Sequence, residues 1–505
     1  MTAVIVPEVL VVLASILAGW MALWPSRANL GPTAYHLAAF PVGLLAWVFV
    51  AGASILSGWP YLPGEAIVGG GAFVSGLRAL QRRSRQDSAT ERSGGVTAAS
   101  FAAAGAAYAG VTAALAATRL TVFTPDSVSD YWPMALLLER EAEFSAFMIS
   151  SRGFLQVSVG AAKAAVGGEW LFVLYPLLGA ALLVTLAWTI WTTAPATLGR
   201  TGRMLLTGLP TVFLLTDPSF LFYSLYVHSH APSALYLLLS LVGLRLAADP
   251  ATGQAAGGAR GWLAVSGLAT AGLALTRPDG LAYAFLPIAG ALSLLLDRRR
   301  GAHDSAAYFG PLLFVVIGAH VAAYAQLGVW EAQKLDGRLT AAILLVMAAS
   351  AALPWLARTT GLGERLRLES GRVLLAEIAA AAALVALVAV MSWENVSLSV
   401  MNLTVNLFDM GGYGPLWYLL AAAVLATVLT GHALRPATWG RSLFLSIVLF
   451  FLMAVLVHGT SHVGRVGWGD SANRVAFHIV PVIVWYVAEV AGSMLTRNQS
   501  GRRTS

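Results

Sequence analysis

Apolar residues run along this chain in blocks of roughly 20, the length at which a helix crosses a ~30 Å hydrocarbon core, and short polar intervals separate them. The pattern predicts about fifteen membrane-spanning helices and no strands to speak of. Their centres fall near Leu13, Ala46, Gly71, Ala107, Ala181, Thr211, Leu238, Gly267, Gly290, Val316, Met347, Ala383, Ala423, Ile447 and Ile483. The opening "MTAVIVPEVLVVLASILAGWMALWP" lacks a basic stretch and a small-residue cleavage site. It is expected to be the first transmembrane helix and not a removed signal peptide.

Composition agrees with the pattern. The 505 residues are 58% hydrophobic and only 11% charged, where a soluble chain carries roughly 25% charged residues. Abundant Ala and Gly suit close helix packing in lipid. Absence of cysteine rules out disulfides and thiolate metal sites. A net charge of +7 would suit nucleic acid, but the basic residues sit in short loops between apolar spans, so none is expected as a partner.

Those basic loops sort by side. "RALQRRSRQDSATERS", "GRTGR", "DRRR", "ARTTGLGERLRLESGR", "HALRPATWGR" and the tail "TRNQSGRRTS" fall on one face of a fifteen-span arrangement. By the positive-inside rule that face is cytoplasmic, so the amino terminus is expected outside and the carboxyl terminus inside. Residues 84–95 read as a flexible cytoplasmic linker. The polar segments land on the outer face: 118–170, "TDPSFLFYSLYVHSH", "TRPDG", "SWENVSLSVMNLTVNLFDMGGYG" and "HGTSHVGRVGWGDSANR".

In "LALTRPDGLAYAFLP" an Arg, a Pro, an Asp and a Gly interrupt apolar sequence. Pro278 is tolerated at the start of a returning helix, leaving Arg277 and Asp279 at the membrane–water boundary. Either they form part of a shared outer site, or Arg277 snorkels to lipid headgroups. Histidines at H-x-H and H-x-x-x-H spacing (His228 with His230, His458 with His462) leave room for a divalent cation. No cofactor is otherwise implied, and His228, His230 and His462 read better as contacts to sugar or phosphate. Trp393, Glu394, Trp417 and Trp468 are candidates to stack on sugar or to form an ordinary interfacial aromatic belt. No Walker A sequence and no G-x-G-x-x-G after a strand are present. The cytoplasmic loops are too short to build a nucleotide site.

"ALTRPDGL" resembles the "TRPEGL" hairpin of polytopic glycosyltransferases of the GT-C superfamily, the lipid-phosphate-sugar-dependent type. In the same order, "FAAAGAAYAGVTAALAATRL" with "TPDSVSDYW" is similar to that superfamily's helix and long acidic outer loop. The stretch "SSRGFLQVSVGAAKAAVGGEWLFVLYPLLGAALLVTLAW" and the hairpin "LLTDPSFLFYSLYVHSHAPSALYLLLSL" also resemble its segments, as does "GDSANRVAFHIVPVIVW" at the start of the last helix. The likeness covers residues 101–495. About three extra helices precede it, "HSHAPS" stands where relatives often carry an acid, and the loop acids are four apart instead of adjacent.

The resemblance implies an all-α polytopic protein with a GT-C-like core. Residues 1–98 would hold extra transmembrane helices and a basic loop, 99–495 the catalytic core with outer loop 118–170, and 496–505 a cytoplasmic tail. It implies transfer of a sugar from a polyprenyl-phosphate carrier to a glycan, lipid or protein acceptor at the outer face of the cytoplasmic membrane. The general base would be an acid of the first outer loop, Asp126 or Asp130, unless Asp126 and Ser127 merely cap a short interfacial helix. Arg474, whose guanidinium grips phosphate oxygens bidentately, is the leading residue for the donor phosphate, with Asn473, Arg277 and Arg152 beside it in role. Asp279 would either orient Arg277 or hold an acceptor hydroxyl, and Asp470 and Trp468 would contact substrate. "ALLLEREAEFSAFM" is expected to be an amphipathic interfacial helix. Two other classes remain open, a transporter or flippase for a lipid-linked saccharide and an inactive scaffold.

Overall fold

The computed structural model describes residues 2–30, 32–61, 131–143, 153–168, 174–225, 229–248, 258–277, 279–295, 302–326, 337–359, 393–409, 413–429 and 471–503, with scattered positions within 379–390 and 443–454. Every regular element among them is helical. The main ones are α1 (Thr2–Leu23), α2 (Pro32–Ser57), α3 (Trp132–Glu141), α4 (Phe154–Ala165), α5 (Leu174–Thr193), α6 (Gly199–Thr216), α7 (Pro218–Leu225) and α8 (His230–Ala248). There follow α9 (Gly258–Thr276), α10 (Gly280–Tyr283), α11 (Phe285–Leu295), α12 (Ala302–Gln326), α13 (Gly337–Thr359), α14 (Trp393–Phe408), α15 (Leu416–Leu429) and α16 (Ser471–Arg503).

The chain is a helical membrane protein. Among the described residues six helices are long and apolar enough to cross a bilayer: Val9–Ser26, Thr33–Ser57, Pro176–Thr193, His230–Ala248, His303–Ala325 and Arg474–Thr496. A seventh arises if Ala196–Thr216 and Pro218–Ser224, bent by 75°, form one broken span. Segments Gly280–Leu295, Thr340–Leu356 and Leu416–Leu429 are apolar but shorter. The expected spans centred at Gly71 and Ala107 lie outside the described residues.

Two compact units are present, Met1–Ala181 with Leu225–Thr360, and Leu182–Ser224 with Gly361–Ser505. In the first, α1 packs on α2, and α9 packs on α8 and α12. Small residues set these distances. A Cβ on Gly19 would run into the Ala39 backbone, and one on Gly43 into that of Ser15. This is the close approach expected where lipid supplies no hydrophobic drive between helices. Hydroxyls do the rest. Ser266 donates to the Ser240 carbonyl at 2.6 Å, Tyr236 to that of Pro41 at 2.7 Å, and Thr270 meets the Tyr308 hydroxyl at 3.0 Å.

In the second unit α16 packs against α6, α14 and α15, and the Trp485 indole donates to Thr193 Oγ1 at 3.1 Å. The opposite stripe of α6, with Met204, Leu205, Leu209 and Val212, is exposed. Four residues at i, i+1, i+5 and i+8 share one side of a helix, so large apolar side chains face outward here, as a lipid-facing surface requires. The segment "WENVSLSVMNLTVNLF", expected among the outer-face polar stretches, is the helix α14, and it buries Val396, Ser399, Leu403, Asn406 and Leu407.

Candidate functional site

The "TRPDG" interruption builds a turn. The Gly280 N–H donates to the Arg277 carbonyl at 3.0 Å, and Asp279 has φ −77° and ψ −6°, the third-residue geometry of a type I turn. Tyr283 N–H then donates to the Asp279 carbonyl at 3.1 Å. The return helix starts at Gly280; Pro278, expected at its start, lies outside the described residues. Gly280 is required: a Cβ there would strike the carbonyl oxygens of Leu273 and Ala274.

The turn presents a two-pronged ion pair. Arg277 Nε donates to Asp279 Oδ1 at 2.7 Å and Nη2 to Oδ2 at 3.2 Å. Both side chains are about one-fifth exposed, at 20% and 23%. Nη1 reaches Ser229 Oγ at 3.4 Å. Burial works against the Arg277 charge, yet the facing Asp279 carboxylate, with Tyr283 and Tyr131 nearby, raises its pKa above the ordinary guanidinium value. The guanidinium therefore stays charged throughout the range in which proteins fold.

Other elements converge on the same place. Ser229 and His230, buried at the start of α8, are held to the end of α9 by the Ser233–Thr276 hydroxyl pair at 2.8 Å. Gly153, with φ +82°, precedes α4. A Cβ there would overlap the Thr276 carbonyl and lie 2.7 Å from the Arg277 nitrogen. Helix α3 packs against α4, which brings Tyr131 within electrostatic range of Arg277.

Of the expected site residues, the structure brings Arg277, Asp279 and His230 together. Arg474 belongs to the second unit, at the start of α16. Its Nε is buried and meets no hydrogen-bond partner among the described residues. Asn473 lies on the same turn of helix. Asp126, Asp130, Arg152, His228, His462, Trp468 and Asp470 lie outside the described residues. Trp393 is exposed on α14, whereas Trp417 is buried against Tyr413 and Phe451. Among the described residues no group of three His, Asp or Glu side chains forms a metal-binding cluster.

Sequence reasoning missed Ser229, Tyr131, Gly153 and Gln156 of α4. Only Gly153 carried a signal, a lone glycine just before an apolar run. No protein-family model matches this chain, and no curated protein and no solved structure matches it either.

Proposed function

We propose that this chain is a membrane glycosyltransferase that moves a sugar from a polyprenyl-phosphate carrier to a cell-envelope acceptor. The observation that carries the reading is the cluster at the end of α9. A permanently charged guanidinium, its carboxylate partner, a serine and a histidine meet at the end of apolar helices, where a lipid headgroup would arrive. Such a group can hold a departing lipid phosphate, and a charge already in place needs no reorganisation when the leaving group develops. The resemblance of "TRPDG" and "DSANR" to GT-C segments supports the same reading, with about fifteen spans, the amino terminus outside and the carboxyl terminus cytoplasmic.

In this mechanism Asp126 or Asp130 takes the proton of the acceptor hydroxyl as that oxygen attacks the anomeric carbon. The bond from that carbon to the phosphate oxygen breaks, and Arg277 or Arg474 meets the charge left on the phosphate. Attack opposite the leaving group inverts the anomeric centre. The transporter alternative relies on ionisable groups within the spans. His320 of α12 is the clearest case, but its Nδ1 donates to the Val316 carbonyl of its own helix at 2.8 Å, a structural bond.

The test is sugar transfer from radiolabelled polyprenyl-phosphate sugars in membranes, with wild type, Asp126→Asn, Asp130→Asn and Arg474→Ala at matched protein levels. The reading expects transfer by wild type, its loss in one of the Asp variants and a marked fall in the Arg variant. No transfer from any donor, or full activity in every variant, contradicts it.

A further inference from the structure

The first N–H groups of an α-helix have no acceptor within the helix. At α4 this end is buried: Phe154, Leu155 and Gln156 are 3%, 2% and 5% exposed. Its N-cap is Gly153, so no side chain caps it. The Gln156 side chain sits in this first turn with neither its Oε1 nor its Nε2 hydrogen-bonded among the described residues. Leaving a buried amide unsatisfied costs about 1–3 kcal/mol, and such a group calls for a partner that the described residues do not supply. Helical Cα–Cβ bonds tilt toward the amino end, so Gln156 is directed to the uncapped N–H groups. The same end lies against the Arg277 backbone through Gly153.

We infer that the amino end of α4, with Gln156 and Arg277, is a cradle for the phosphate of an isoprenoid lipid. The inference rests on the lipid-phosphate donor proposed above and assigns the place where its phosphate is held. Partial positive charge at the helix end and the Gln156 amide donor suit an anion. Asp279 occupies the Nε and Nη2 edge of Arg277, which leaves Nη1, with its long contact to Ser229, to turn toward a phosphate oxygen.

The test is binding of radiolabelled farnesyl phosphate to the purified full chain in detergent, with inorganic phosphate and farnesol as competitors, alongside thermal unfolding. Wild type is expected to bind farnesyl phosphate, with inorganic phosphate competing weakly and farnesol not at all. Gln156→Leu should weaken binding about tenfold to a hundredfold, the loss of one hydrogen bond to a charged group. Its unfolding temperature should be unchanged or higher, since an unsatisfied amide is removed. Gln156→Glu, which faces the anion with a like charge, should abolish binding.

Unchanged binding in Gln156→Leu overturns the cradle, as does a lowered unfolding temperature with normal binding. Inorganic phosphate binding as tightly as farnesyl phosphate overturns the lipid as its occupant. Sugar transfer separates this inference from the reading it rests on. Wild-type transfer with normal binding in Gln156→Leu removes the cradle alone. Weakened binding in that variant, with no transfer by wild type, removes the glycosyltransferase reading alone.

Discussion

Gly153 links two halves of the candidate site, because its backbone conformation and its contact both exclude a side chain. Replacing it with alanine should cost about 1–3 kcal/mol, from the left-handed backbone and the displaced Thr276–Arg277 segment together. A thermal unfolding scan checks this, with a clearly lowered midpoint expected. An Arg277→Lys substitution separates charge from shape. The raised pKa of Arg277 means that its charge is lost only when pH rises through a value beyond the alkaline range, so wild-type farnesyl phosphate binding should be flat there. Lysine ordinarily titrates near pH ~10.4 and less when desolvated. The variant should therefore bind more weakly at neutral pH, having lost the two-pronged geometry, and lose binding as pH rises through the lysine pKa. Titration of binding against pH decides it.

At the scale of elements, legibility varied with the kind of signal. The chain reversal at "TRPDG" was readable because Pro and Gly restrict a turn by their own geometry. The amphipathic helix expected over "ALLLEREAEFSAFM" is found only in part: α3 spans Trp132–Glu141, ends at Ala142 with φ +53°, and buries Met134, Ala135 and Leu138. The helix α14 was harder to read, since Asn, Ser and Thr recur where only one face is buried. Gln156 could not be recognised at all, because a single amide in an apolar helix has no spacing. Its meaning comes only from which helix end it shares and what that end touches. Where glycine sets the packing distance, the element should fail with any larger residue. Gly43→Val is expected to lower the unfolding midpoint sharply by parting α1 from α2, since the Cβ would fall on the Ser15 backbone. A conservative exposed change on the same protein, such as Leu13→Val, should leave the midpoint nearly unchanged, and a comparison of the two melts checks both.

For the whole molecule, the apolar blocks made the membrane class plain, while the span count depends on segments beyond the described residues. Sidedness is open to direct measurement because the chain has no cysteine. Single cysteines placed at Glu141, exposed at the end of α3 beside the cluster, and at Ser505 should react oppositely with a membrane-impermeant maleimide in intact cells. The first should be labelled from outside, and the second only after permeabilisation. The reverse pattern would put the cluster on the cytoplasmic face and contradict the proposed orientation.

The central claim is that a lipid phosphate sits beside the Arg277–Asp279 turn. Its most direct test is photolabelling of the full chain with a prenyl phosphate that carries a diazirine next to the phosphate, followed by peptide mapping. The account predicts adducts at Tyr131, Gln156, Ser229, His230 or Tyr283, competed by unlabelled farnesyl phosphate and lost in Gln156→Glu. Adducts confined to other segments, or labelling indifferent to the competitor, would contradict it.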